Sequence, residues 1–122
     1  MILLVSSDPA ADAAVRSVVE PHRGRLRLLG SDYGAMAVIH AAAGEASLAF
    51  IDLDPGLHGL ELCRAATPHM PVIALGGVAA GHAIEADARE HGACGWLGKP
   101  LDPAQIRALL DRTLGAGAPL EL

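Results

Sequence analysis

The sequence lacks the features that mark several classes of protein. It has no apolar run near the ~20 residues that a membrane-spanning helix needs. It has no cluster of Lys or Arg, and its net charge is −5. A protein of this charge is not expected to bind nucleic acid or an anionic membrane directly, so protein partners are favoured.

Signals for secretion and for paired cysteines are also missing. Met1 leads directly into the apolar run Ile2–Val5 with no basic segment ahead of it, which argues against a secretory signal and favours a cytoplasmic protein. Cys63 and Cys94 match no metal or redox spacing. Because both lie in segments that are predicted to pack, we expect two buried thiols.

What is present is one domain of ordinary size. The chain has 122 residues, enough to bury one hydrophobic core. We predict that residues 1–114 form this domain. Residues 115–122 begin with alternating Gly and Ala and are expected to form a flexible tail.

Short apolar runs alternate with helical patterns along the domain. Most of these runs are continuous, which is typical of parallel strands covered by helices on both faces. Asp8 before Pro9 predicts the N-cap of a first helix, and Asp102 before Pro103 predicts that of the last. Strands are predicted at 2–5, 26–29, 48–53, 72–75 and 96–97, and helices from residue 9 and at about 33–43, 57–66, 82–91 and 103–114.

This alternation predicts a flavodoxin-like (βα)5 fold. It is a three-layer α/β sandwich whose parallel five-stranded sheet has the order 2-1-3-4-5. In such sheets the chemistry lies beyond the carboxyl ends of the strands. Those ends are Ser6-Ser7-Asp8, Asp52-Leu53-Asp54, Gly76-Gly77 and Gly98-Lys99. Gly76 and Gly77 lack a phosphate-loop motif and are expected to form a simple turn.

At these ends the sequence resembles the receiver domains of response regulators in bacterial two-component phosphorelays. The resemblance runs from about Ile2 to Leu114 and predicts a cis Lys99-Pro100 bond. It rests on five segments in order, which are ILLVSSDP from Ile2, FIDL from Phe50, PGLHGLEL from Pro55, MPVIAL from Met70 and GACGWLGKPL from Gly92.

The resemblance implies roles for three residues that are present. Asp52 occupies the position of the aspartate that attacks the phosphoryl group of a kinase phosphohistidine. Lys99 occupies that of the lysine that holds the phosphoryl oxygens. Trp96 matches the switch aromatic on the fifth strand.

Other positions depart from the pattern of receiver domains. Ser6 and Ser7 replace the acidic pair that holds Mg²⁺, and Gly76 replaces a Ser or Thr whose hydroxyl pulls the aromatic inward. Trp96 is therefore expected to lack its partner. The loop between Asp52 and Pro55 is one residue shorter than usual, and the segment from the fourth strand to Lys99 is about one residue longer.

Several site residues admit two interpretations. Asp52 and Lys99 form either a working phosphoacceptor with its orienting lysine or an inherited buried ion pair, and the ion pair is favoured. Asp8 is a helix cap or a substitute acid, and the cap is favoured. Asp54 could join Asp52 in a remodelled cation site, a weaker alternative. No cofactor is expected, and Mg²⁺ is expected to bind at most weakly.

The sequence therefore predicts a non-enzymatic signalling module that works through protein contacts, with a histidine kinase or other signalling proteins as partners. The alternative is a phosphotransfer-competent receiver that accepts a phosphoryl group on Asp52. A homodimer through the predicted fourth helix, fifth strand and fifth helix is expected from the resemblance. A small-molecule-binding domain is ranked last, because the sequence supplies no defined polar pocket. His58-Gly59 matches only part of a cobalamin motif, since Gly56 stands where its aspartate should be. The six histidines show no metal-ligand spacing.

Overall fold

The computed structural model describes residues 1–23, 26–29, 44–53, 57–77 and 81–115. The predicted second helix at 33–43, the carboxylate of Asp54 and the tail beyond Gly115 lie outside these residues. The predicted third, fourth and fifth helices are therefore α2, α3 and α4 below. The strands are β1 (Ile2–Val5), β2 (Leu26–Leu29), β3 (Leu48–Asp52), β4 (Val72–Gly77) and β5 (Gly95–Lys99), and the helices are α1 (Pro9–Arg23), α2 (Leu57–Ala66), α3 (Gly81–Glu90) and α4 (Pro103–Leu114).

These strands form one parallel sheet in the order β2-β1-β3-β4-β5. The register places Val5 beside Ile51 and Asp52 beside Leu75. Because every strand runs in the same direction, all the carboxyl ends meet at one edge of the sheet. The predicted parallel α/β architecture is confirmed, and this edge is where the candidate site lies.

Helices cover both faces of the sheet. Successive residues of each strand point to opposite faces. One set packs against α1 and α4, and the other packs against α2 and α3. All the residues of β1 and β3 are buried, which explains the continuous apolar runs in the sequence. Among the described residues, no helix is long and apolar enough to cross a membrane.

Both predicted helix N-caps are present. The Oδ1 atom of Asp8 accepts a hydrogen bond of 2.9 Å from the backbone N–H of Ala10. The Oδ1 atom of Asp102 accepts one of 2.9 Å from Ala104. In both helices a proline follows the cap. Proline is tolerated there because the first N–H groups of a helix make no hydrogen bond within the helix.

The backbone around β4 and β5 confirms one prediction and corrects another. The Lys99-Pro100 peptide bond is cis, as the resemblance predicted. Gly76 and Gly77 do not form the predicted turn. They extend β4 and align with Gly98 and Lys99 of β5. Pairing with the neighbouring strand outweighs the weak intrinsic preference of glycine for extended structure.

The two cysteines differ in exposure. Cys63 on α2 is buried as predicted, and its burial raises the pKa of the thiol to about 12. Cys94 is exposed, so the prediction of a buried thiol is wrong there. It lies just before β5, where its backbone N–H donates a hydrogen bond of 2.8 Å to the carbonyl of Val72. The sheet thus holds the backbone of this residue while its side chain stays at the surface.

Candidate functional site

Side chains from the ends of three strands meet at one edge of the sheet. Asp52 is the last residue of β3, and Lys99 is the last residue of β5. Ser6 directly follows β1. Ser6 and Lys99 lie 46 and 47 positions from Asp52 in the chain, yet both contact it. The parallel topology brings them together.

Asp52 is the centre of this cluster. Its side chain has no exposed surface. Its Oδ2 atom accepts a hydrogen bond of 2.7 Å from the Ser6 hydroxyl and another of 2.7 Å from the Lys99 ammonium. A buried carboxylate is costly unless it is paired with a cation and hydrogen-bonded, and Asp52 has both kinds of partner.

A second carboxylate holds the same lysine. The Oδ2 atom of Asp8 lies 2.8 Å from Nζ of Lys99, while its Oδ1 atom caps α1. The hydrogen bond from Lys99 lowers the pKa of Asp8 below its ordinary value of 3.8, and the hydrogen bond from the backbone N–H of Ala10 acts in the same direction. The sequence favoured a cap over a substitute acid. In the structure one oxygen serves as the cap and the other pairs with the lysine.

The two serines in the acidic-pair positions are not equivalent. Ser6 is buried, and its Oγ atom donates to Asp52 and accepts a 3.0 Å hydrogen bond from the backbone N–H of Asp8. Ser7 is exposed. A cavity of about 170 Å³ adjoins them, lined by Ser6, Ser7, Asp8, Pro9 and Asp12.

Mg²⁺ would have to compete with a lysine for the two carboxylates of this cluster. Mg²⁺ requires octahedral oxygen ligands at about 2.0–2.1 Å. The Lys99 ammonium already lies between the carboxylates of Asp8 and Asp52 and contacts both. In the part of the chain that the structure describes, no group of three or more His, Cys, Asp or Glu side chains could hold a metal ion.

Trp96 lies against Gly76 on the neighbouring strand. Its alignment with Ala74 puts its side chain on the face of the sheet that Gly76 shares. A Cβ atom built on Gly76 would overlap Cη2 of the indole, whereas one built on Gly98 would lie 3.9 Å from Nε1. Gly76 has no hydroxyl that could act as the partner of Trp96, and its missing side chain leaves room for the ring.

Solved structures share this arrangement of strands and helices. The BeF3-activated DrrB receiver domain is 21% identical, with a TM-score of 0.76, over 93% of this chain and 95% of that chain. A CheY-like receiver domain protein from Methanospirillum hungatei JF-1 is 24% identical, with a TM-score of 0.76, over 93% and 91%. This chain has the receiver-domain fold. NtrX from Brucella abortus, crystallised with ADP, matches 95% of this chain with 23% identity and a TM-score of 0.73, but the match spans only 26% of NtrX.

These similarities concern the fold. No protein-family model matches the sequence, and no curated protein matches it. The receiver fold accounts for the position of Asp52, Lys99 and Ser6 at the carboxyl edge of the sheet.

Proposed function

We propose that this chain is a response-regulator receiver domain that signals by binding other proteins, with little or no Mg²⁺-dependent phosphorylation of Asp52. Its partners in this account are a histidine kinase or other signalling proteins of the cytoplasm, and the domain is not an enzyme. The proposal includes the complete flavodoxin-like (βα)5 fold of residues 1–114, with a helix between β2 and β3 as the second of five.

The observation that carries the proposal is the state of the Asp52 carboxylate. Its Oδ2 atom accepts from both Ser6 and Lys99, and the side chain has no exposed surface. In-line attack on a phosphoryl donor requires a carboxylate oxygen that the donor can reach. The atoms that cover Asp52 must therefore move aside before a donor can reach it.

Charge compensation for an aspartyl phosphate is also weak. Lys99, whose contact with Asp52 the structure describes, is shared with Asp8. Ser6 and Ser7 supply only neutral oxygens. Removing one well-placed stabilising group commonly costs about a hundredfold or more in rate. Here the acidic pair and the hydroxyl at position 76 are both missing, so the combined loss is expected to be larger.

One contact favours a second candidate function. The ammonium of Lys99 lies 2.7 Å from Asp52, which suits a lysine that orients a phosphoryl group. In this alternative, a histidine kinase phosphorylates Asp52 slowly. Lys99 leaves Asp8 and moves with the phosphoryl oxygens.

The proposed homodimer uses α3, β5 and α4. A groove of about 270 Å³ on this face is lined by side chains of β5 and α4, which are Trp96, Leu97, Gln105, Ala108, Leu109 and Arg112. Exchange of Arg112 for Glu is expected to weaken self-association in sedimentation experiments. Arg64→Glu on α2 is the control outside this face. An unchanged association of the Arg112 variant would contradict the proposed interface.

The missing acidic pair is tested by restoring it. We expect calorimetric titration to detect little Mg²⁺ binding to the wild-type chain and measurable binding to the double variant Ser6→Asp, Ser7→Asp. Two added carboxylates supply the ligands that Mg²⁺ prefers. Strong Mg²⁺ binding to the wild-type chain would contradict the proposal. If the double variant also fails to bind, the shortened loop after Asp52 becomes the better explanation.

A further inference from the structure

Trp96 is the single tryptophan of the chain and lies on the edge strand of the sheet. Its indole reaches Gly76 on β4, and a Cβ atom built on Gly98 of its own strand would lie 3.9 Å from Nε1. These two glycines are aligned neighbours in the register of β4 and β5. An aromatic ring that lies over a pair of adjacent glycines in a sheet covers backbone that glycine, with no side chain, leaves exposed.

The backbone of Gly76 does not require glycine. Positive φ angles among the described glycines occur at Gly44, Gly92 and Gly115, so Gly76 has a conformation that other residues adopt. What the glycine provides is space, because a Cβ atom there would overlap Cη2 of Trp96 and lie 3.2 Å from both Cζ2 and Cζ3. Glycine inside a strand often marks such a close approach.

We propose that Gly76 is a positioning residue that seats the indole of Trp96, so that this side of β5 keeps one conformation whatever the chemical state of Asp52. The groups around the indole are backbone and apolar side chains. Trp96 also packs against the core cluster shared with α2 and α3. None of these contacts depends on charge. How Trp96 is held therefore does not depend on whether Asp52 is phosphorylated.

Fluorescence tests this directly, because Trp96 is the single tryptophan in the chain. In Gly76→Thr, overpacking is expected to displace the indole and raise the Stern–Volmer constant for acrylamide about twofold, with a red-shifted emission. Gly98→Ala is the matched control, since its added Cβ has room at 3.9 Å, and it is expected to leave both signals unchanged. Equal quenching of wild-type protein and Gly76→Thr would overturn the proposal.

A second measurement uses the unmodified chain and therefore does not depend on the folding of a variant. Addition of beryllofluoride with Mg²⁺, or of acetyl phosphate with Mg²⁺, is expected to leave the emission and quenching of Trp96 unchanged. A change that appears in the wild-type chain and disappears in Asp52→Asn would overturn the inference. A mass gain at Asp52 with unchanged fluorescence would contradict the proposed function and support the fixed position of Trp96.

Discussion

At the scale of single residues, Lys99 decides the character of the site. It is one ammonium that contacts two carboxylates, those of Asp8 and Asp52. The contact with Asp52 compensates a charge that has no access to water, so loss of Lys99 would remove a cation from a buried carboxylate. The contact with Asp8 is more exposed and contributes less. The two contacts can therefore be separated by experiment.

Asp8→Asn is expected to remove the pair with Lys99 while keeping an oxygen that caps α1. We expect a loss of roughly 0.2–1 kcal/mol in the free energy of unfolding at neutral pH, the range for ion pairs with exposed side chains. A carboxyl whose pKa is lower in the folded state stabilises the fold above its unfolded pKa. For Asp8 that value is near 3.8, and the stabilisation is lost as the pH falls through the lower folded value.

Urea unfolding at several pH values measures this difference. Wild-type protein and Asp8→Asn are expected to differ above about pH 4 and to converge as the pH falls through the lowered folded pKa of Asp8. Asp8→Ala, which also lacks the cap, should lose more stability than Asp8→Asn at every pH. A difference between wild type and Asp8→Asn that stays constant down to pH 2 would exclude the ion pair as its source.

The two cysteines give a second prediction at this scale. Burial raises the pKa of Cys63 to about 12, so the thiolate that reacts with labelling reagents is scarce in the folded protein. Cys94 is exposed. We expect iodoacetamide at pH 8 to modify one thiol in native protein and two in urea. Cys94→Ser should abolish labelling in the native state, and rapid native labelling of that variant would show that Cys63 is accessible.

At the scale of elements, the sequence predicted correctly those strand and helix boundaries that are set by local residues. The range of β1 was correct because all its residues are buried and apolar, and the start of α4 was correct because Asp102 and Pro103 mark it. The extents of β4 and β5 were underestimated. Gly76 and Gly77 carry no strand signal of their own, and their extended conformation depends on pairing with a strand that lies about 20 residues further along the chain.

The cap of α4 gives a prediction at this scale. Asp102 accepts a hydrogen bond from the N–H of Ala104. Asp102→Ala is expected to lower the free energy of unfolding by about 1 kcal/mol, because a backbone donor of the first turn loses its acceptor. Asp102→Asn keeps an acceptor and should lose only a few tenths. Thermal unfolding of both variants measures this, and an equal effect of the two would argue against a role of the cap.

At the scale of the whole molecule, the carboxyl edge of the sheet collects residues that the sequence keeps far apart. Asp52 and Lys99 were placed there from their positions after predicted strands. Two contacts were not predicted, the hydrogen bond from Ser6 to Asp52 and the ion pair of Asp8 with Lys99. Both depend on interatomic distances of about 3 Å between residues that come from different strand ends, and the sequence alone does not give such distances. For the same reason, the packing of Trp96 against Gly76 was not predicted from the sequence. A residue type reports that a hydroxyl is missing, but it does not report what occupies the space.

The measurement that tests the central claim most directly is the intact mass of the wild-type chain after incubation with acetyl phosphate and millimolar Mg²⁺. A receiver domain that carries the acidic pair, treated in parallel, shows that the donor is active. The variant Asp52→Asn shows whether any gain in mass is due to Asp52. The account predicts no phosphoryl adduct on the wild-type chain under conditions that label that receiver domain. Rapid, stoichiometric addition of one phosphoryl group, abolished in Asp52→Asn, would contradict it.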